Sequence, residues 1–112
     1  MTTERRTYVA ATAVGWISDS PFPGIVEVHL RDAAGRDWIF VDKATIFDEA
    51  NQLNRDAPYP VDLELACTVL EEGDTSVLIS LRRPWGIESV DGVSEFSVTP
   101  ERLSTRDLNV TE

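Results

Sequence analysis

The chain has 112 residues, of which 42% are hydrophobic and 27% are charged, and its formal net charge is −10 at pH 7. This length and composition are typical of a single folded domain covering residues 1–112, and they argue against a disordered chain. The excess of acidic residues, 20 against 10 basic ones, disfavours binding to nucleic acid or to an anionic membrane, and it favours a basic protein partner.

The cysteine content and the distribution of apolar residues bear on the compartment. Cys67 is the single cysteine, which excludes an internal disulfide and a thiolate metal cluster. The polar N-terminus lacks the apolar run of a signal peptide, and no stretch approaches the roughly 20 apolar residues of a membrane span. Nearly all basic residues are Arg, which is typical of a GC-rich bacterial genome. The sequence therefore predicts a cytoplasmic bacterial protein.

The N-terminal part is predicted to contain one strand and one long loop. Residues 1–6 are polar and are expected to fray. Residues 8–17 are rich in β-branched and small residues, which favours a strand. Residues 18–24 are dense in Ser, Pro and Gly, which predicts a loop. Phe22 stands between two prolines of this loop. We expect it to fold under the loop as a lid on the core; the alternative is an exposed functional side chain.

Two further strands are predicted next. Residues 25–31 alternate between apolar and polar side chains, which indicates a strand with one solvated face. Residues 37–42 contain the run Trp-Ile-Phe-Val, which predicts a strand covered on both faces. The turn Asp32-Ala-Ala-Gly35 has the residue preferences of a type I turn. The two strands should therefore form an antiparallel hairpin.

The middle of the chain predicts a short helix over residues 46–54. Thr45 and Asp48 have the spacing of a capping box, and apolar residues recur at helical spacing after Thr45. The alternative is that the third strand continues through Phe47 and is followed by a loop. A second loop rich in Pro and polar residues covers residues 54–60.

The second half predicts two hairpins. Residues 61–71 form the clearest amphipathic strand, and residues 76–82 should return beside it. Residues 87–90 and 93–98 flank Asp91-Gly92, a pair typical of a type I′ turn between two strands. Pro100 and Glu101 favour a short helical turn, and residues 105–112 are expected to be a loose tail.

These elements predict a mainly β fold. The six to seven short antiparallel strands, joined mostly by tight turns, favour a small barrel or a strongly bent sheet. One short helix near residues 46–54 and a short C-terminal helical turn complete the expected fold.

The sequence holds few groups suited to catalysis. His29, the only histidine, is predicted to face solvent between Glu27 and Arg31, and no nucleophile signature accompanies it. Cys67 is expected to be buried and unreactive on the apolar face of its strand. Phosphate-binding, dinucleotide and calcium motifs are missing. We therefore expect no enzyme activity, no catalytic residue, no metal site and no cofactor.

The segment Arg82-Arg83-Pro84-Trp85-Gly86 is the strongest candidate for a contact surface. Its arginines and the pair Arg5-Arg6 are the two short clusters of basic residues in the chain. Pro84 should break the strand and leave Trp85 at a corner of the sheet. The alternative is that Trp85 plugs one end of the barrel. The candidate interaction surface comprises Arg82, Arg83, Trp85 and Phe22.

In size, acidity and β-rich build the chain is similar to small bacterial immunity proteins, which bind and block a toxin; no defined motif carries this similarity. We therefore expect a non-catalytic, acidic protein-binding module, such as an immunity or inhibitor protein or a regulatory adaptor. One alternative is a small-ligand β-barrel with a pocket of Trp85, Phe22 and Arg83. Another is a homo-oligomer, for example a homodimer, joined through Trp85 and a strand edge.

Overall fold

Antiparallel strands form a strongly curled half-barrel sheet in the computed structural model, which describes residues 3–48, 52–83 and 85–109. The mainly β class predicted from the sequence is confirmed. The order within the sheet is β3-β2-β1-β4-β5-β6, and β7 pairs with β1. The elements are β1 (Thr3–Ser18), β2 (Ile25–Arg31), β3 (Asp37–Lys43), α1 (Ala44–Phe47), β4 (Val61–Glu72), β5 (Val77–Ser80), β6 (Glu95–Val98), a 3-10 helix (Pro100–Arg102) and β7 (Leu103–Asn109).

The long strand β1 organises the sheet because it has three neighbours. Its residues 7–13 pair with β4 along one edge. Along the other edge, residues 3–9 pair with β7 and residues 12–18 pair with β2. Two register shifts interrupt the pairing with β2, and such bulges bend a strand and increase its twist. The sheet curls around this strand.

The curl brings the two ends of the sheet together. Trp38 and Phe40 of β3 pack against Phe96 of β6, with ring centroids 5.1 Å and 5.6 Å from that of Phe96. The backbone N–H of Ala33 donates to the carbonyl of Ser97 at 2.7 Å. Edge-to-face aromatic contacts of this kind add to the stabilisation from burial alone.

Residues 81–94, described except for residue 84, form a loop that crosses the remaining gap between β6 and β3; we call it the closing loop. Leu81 and Ile87 of this loop are buried in the core. The N–H of Val90 donates to the carbonyl of Ile39 on β3 at 2.8 Å. The interior is filled by side chains that are less than 2% exposed: Phe40, Leu30, Leu65, Ile79, Leu81, Val9, Val26, Val28 and Val98.

The turn between β2 and β3 is held by one carboxylate. Asp32 accepts hydrogen bonds at 2.9 Å from the N–H of Ala34, the N–H of Arg36 and the indole Nε1 of Trp38. Desolvation raises the pKa of Asp32, but these hydrogen bonds outweigh it, so its pKa lies below the ordinary value. Asp32 thereby fixes both the predicted turn and the orientation of Trp38 against Phe96.

The turn at Asp91-Gly92 differs from the predicted type I′ hairpin. The N–H of Gly92 donates to Ser89 O at 2.9 Å, and the N–H of Ser89 donates to Val93 O at 2.8 Å. This pattern, with Gly92 at a φ of +81°, belongs to a three-residue loop rather than a two-residue one. The predicted strand over residues 87–90 is wrong, because Ile87 turns into the core instead of continuing a ladder.

The predicted short helix is present, but its bounds differ from the predicted residues 46–54. The helix is α1, Ala44–Phe47, and residues 49–51 lie outside the described residues. Asp48 is buried and its carboxylate accepts a hydrogen bond from the N–H of Leu53. The side chain thus satisfies a backbone group that a helix would have bonded, and the chain leaves helical geometry. The predicted C-terminal helical turn is confirmed as the 3-10 helix.

The expected loose ends at residues 1–6 and 105–112 need correction. Residues 3–6 of β1 pair with residues 106–109 of β7, and Thr105 pairs with Thr7; residues 1–2 and 110–112 lie outside the described residues. These segments are polar, so they lack the apolar alternation from which a strand is predicted. Their backbone groups pair with each other, and this pairing does not depend on side-chain type.

The predicted double-sided burial of β3 is wrong as well. Of its four apolar residues Phe40 is buried, whereas Ile39 is 38% exposed and Val41 is exposed. Trp38 and Phe40 pack on the core side of β3 and Ile39 and Val41 lie on its exposed side, so the apolar run is covered on one face only.

Replacing Phe96 with Ala should lower the free energy of unfolding by about 3–5 kcal/mol, since the change removes a buried ring that contacts both Trp38 and Phe40. Phe22→Ala is the matched control. Phe22 is 89% exposed, so its loss should change stability by less than about 0.5 kcal/mol. Urea denaturation gives both values. If F96A proves too unstable, Phe96→Leu should cost about 1–1.5 kcal/mol. Equal costs for F96A and F22A would contradict the closing role of Phe96.

Candidate functional site

Arg82, Arg83 and Trp85 lie in the closing loop just after β5, and we call them the Arg–Trp corner. The strand ends at Ser80, so the break predicted in this segment is present; Pro84, to which the sequence attributes it, lies outside the described residues. The N–H of Gly86 donates to the carbonyl of Arg82 at 2.7 Å, and Gly86 has a φ of +67°. Glycine adopts this left-handed conformation without steric cost, and here it reverses the chain.

The side chains of the corner are accessible. Trp85 is 49% exposed, and both arginines are exposed. The Nη2 of Arg82 donates to Ser94 Oγ at 3.3 Å, which ties the corner to the start of β6. Because Leu81 and Ile87 occupy the core beneath the loop, Trp85 does not plug the end of the barrel.

Phe22 lies apart from the Arg–Trp corner, and its expected role as a lid is wrong. It follows the C-terminal end of β1, is 89% exposed and does not cover the core. The indole of Trp16 packs against this loop at Gly24 instead. The contact is so close that a Cβ atom added to Gly24 would lie 1.9 Å from Trp16 Cζ2. The pocket expected from Trp85, Phe22 and Arg83 therefore does not form.

Arg83 instead helps to line a cleft beside the first half of β1, which we call the basic cleft. Its volume is about 350 Å³. Thr7 and Cys67 pair directly across β1 and β4 at this point, and the cleft also contains Arg5 and Arg6. The two Arg-Arg pairs of the sequence, 77 residues apart in the chain (82 minus 5), thus each contribute to one site. The sequence separation concealed this, because the two pairs meet only when β1 pairs with β4 and β4 pairs with β5.

Cys67 is buried in the floor of this cleft, as predicted. Burial raises the pKa of its thiol from 9.0 to about 11, because desolvation disfavours the thiolate. A thiol that stays protonated at neutral pH is a poor nucleophile. The position therefore acts as part of the apolar core.

The β4-β5-β6 hairpins carry four exposed carboxylates, and we call this group the acidic face. They are Glu71, Glu72, Asp74 and Glu95. β4, β5 and β6 contain no Lys or Arg, and no described basic residue forms an ion pair with these four groups. Leu70, 47% exposed at a bulge of β4, lies beside them. An apolar side chain surrounded by unpaired carboxylates is suited to a basic, partly apolar partner surface.

Several carboxylates elsewhere on the surface form ion pairs. Arg31 binds Asp37 at 3.0 Å, Arg55 binds Asp19 at 3.1 Å, and Arg106 contacts Glu64.

His29 faces outward on β2, as the sequence predicts. Its Nε2 lies 2.6 Å from Glu27 Oε2, and the pair is about 30% exposed. Thr12 lies directly opposite His29 on β1. Within the described part of the chain, no group of three or more His, Cys, Asp or Glu side chains could hold a metal ion.

Comparison of the chain with protein-family models, with curated proteins and with solved structures gave no match. Among the described residues, no helix has the length and apolar character needed to cross a membrane.

At pH 8 the thiol of Cys67 should react with Ellman's reagent about 100-fold more slowly in the native protein than in protein unfolded with guanidinium chloride. Raising the pKa from 9.0 to about 11 leaves about a hundredth as much thiolate. The rate of thionitrobenzoate release measures this directly. The unfolded state should also lose its thiol proton first, so Cys67 should cost stability as the pH rises from 9 to 11. Equal native and unfolded rates at pH 8 would show the thiol to be accessible.

Proposed function

We propose that this protein is a non-catalytic protein-binding module that binds a basic protein partner through its acidic face and the adjoining Arg–Trp corner. The observation that supports this most is the charge distribution. Glu71, Glu72, Asp74 and Glu95 are exposed on neighbouring hairpins without a described basic partner, whereas ion pairs neutralise several other surface carboxylates. Retaining unpaired like charges on one surface costs free energy, and a complementary partner would offset that cost.

The acidic face and the corner adjoin each other. Ser80, the last residue of β5, pairs with Glu95, and Arg82 is hydrogen-bonded to Ser94. A partner that covers Glu95 would therefore come close to the corner. Trp and Arg are enriched among the residues that contribute most to binding energy at protein interfaces. The carboxylates would accelerate association, and Trp85 would supply much of the affinity.

The rigid support of this surface favours a binding role. The acidic face lies on paired strands rather than on a long loop, and its opposite side is packed by buried residues such as Val77, Ile79 and Val98. A partner would therefore meet a largely preformed surface, which reduces the entropic cost of association. An immunity or inhibitor protein of the bacterial cytoplasm, or a regulatory adaptor, fits this build.

The filled interior argues against the small-ligand barrel. The side chains that are less than 2% exposed belong to one core cluster. Phe22, which was expected in the ligand pocket, follows the C-terminal end of β1, whereas Arg83 lies beside the N-terminal half of that strand. The homo-oligomer is disfavoured as well, because two acidic faces brought together would repel each other.

The test is a pull-down from lysate of the source organism at low salt, with the immobilised wild type and three variants. The wild type should retain a basic protein in stoichiometric amount, and salt should release it. E71Q/E95Q should weaken binding roughly tenfold, because each exposed ion pair contributes about 0.2–1 kcal/mol. W85A should weaken it about 30-fold or more, with stability changed by less than about 1 kcal/mol because Trp85 is 49% exposed.

The matched control is the variant D56N/E101Q, which removes two exposed carboxylates away from the acidic face and should bind like the wild type. Recovery of the protein alone at low salt would contradict the proposal. A dimer mass in light scattering that W85A converts to a monomer would support the homo-oligomer instead. Loss of binding in D56N/E101Q equal to that in E71Q/E95Q would show that net charge matters and the acidic face does not.

A further inference from the structure

We propose that the basic cleft is a binding site for an oxoanion of the phosphate class. The first argument is the charge of the cleft. In a chain with a net charge of −10, its described lining contains Arg5, Arg6 and Arg83 and no carboxylate. A cleft lined by one sign of charge beside low-dielectric walls concentrates ions of the opposite sign.

The second argument is the kind of donor that the cleft offers. Each guanidinium carries five N–H donors in a planar fork that matches the oxygen atoms of phosphate. Arg5 and Arg6 each also make an interaction within the protein. Thr7 and Thr68 add two hydroxyl groups to the lining. This donor set contains both charged and neutral hydrogen-bonding groups.

The third argument is the way the backbone holds the site. Strand alternation places Arg5 and Thr7 on the same face of β1, and Thr7 pairs with both Cys67 of β4 and Thr105 of β7. Arg83 comes from the closing loop, which the buried Leu81 anchors. Arg5 and Arg6 pair with β7 alone, whereas Thr7 beside them is paired on both edges, so the floor of the cleft is held by the sheet.

The size of the cleft limits the ligand. About 350 Å³ lies at the lower end of the range for small-molecule sites, so the cleft would hold a phosphate group with a small organic body. The buried Cys67 and the neighbouring Val69 form an apolar part of the lining, against which that body would pack. The cleft shares Arg83 with the Arg–Trp corner but shares no residue with the acidic face, so substitutions in the acidic face distinguish failure of one proposal from failure of the other.

The test is isothermal titration calorimetry of the purified protein with inorganic phosphate, at constant ionic strength set with sodium chloride. Ribose 5-phosphate is titrated in parallel. The wild type should bind phosphate, and R83Q and R5Q should each weaken binding at least tenfold, the loss expected when a charge-assisted contact is removed. R55Q is the matched control because Arg55 is also exposed and lies outside the cleft; it should change the affinity less than twofold.

Tighter binding of ribose 5-phosphate would identify a phosphorylated small molecule as the ligand class, and equal affinities would identify the oxoanion itself. Thermal unfolding checks the result, since a ligand that binds the native state raises Tm with concentration. Absence of heat with both titrants, or equal binding by wild type and R83Q, would overturn the proposal. E71Q/E95Q should still bind phosphate, which separates this outcome from that of the protein-binding proposal.

Discussion

The structure depends on the pairing of a single strand along both of its edges. Residues 7–9 of β1 lie between β4 and β7, and residues 12–13 lie between β4 and β2. Because one continuous strand holds all three neighbours, their relative positions are fixed together. The bulges toward β2 add the bend that brings β3 near β6. The aromatic contacts of Phe96 and the closing loop then complete the core.

This arrangement separates the charges of the molecule. The pairing of β1 with β4 and of β4 with β5 gathers Arg5, Arg6 and Arg83 around one cleft, while the β4-β5-β6 hairpins carry exposed carboxylates. A chain with net charge −10 thereby presents a basic cleft and an acidic face on one curled sheet. Surfaces of opposite sign suit ligands of opposite sign, and for this reason two separate binding proposals arise from the same fold.

Strands whose apolar and polar side chains alternate could be predicted from the sequence. Elements whose position depends on backbone pairing or on a polar side chain could not. The alternation from Ile25 to Arg31 predicted β2 with its observed bounds. The polar strand β7 gave no such signal, because its place depends on pairing with β1. The short helix was predicted over residues 46–54 from apolar spacing, but it ends at Phe47, just before the buried Asp48 whose carboxylate accepts from the N–H of Leu53. Arg83 and Trp85 were identified from local composition, whereas the contribution of Arg5 to the same region required a contact between distant parts of the chain.

Native-state hydrogen exchange, resolved by residue with NMR, tests the organising role of β1 most directly. The account predicts that the hydrogen-bonded amides of residues 7–13 exchange only through global unfolding, with opening free energies equal to the free energy of unfolding from denaturation. Amides of the closing loop should open at lower free energy. Opening of residues 7–13 at more than about 2 kcal/mol below the global value, while amides of β4 or β5 keep that value, would contradict the account.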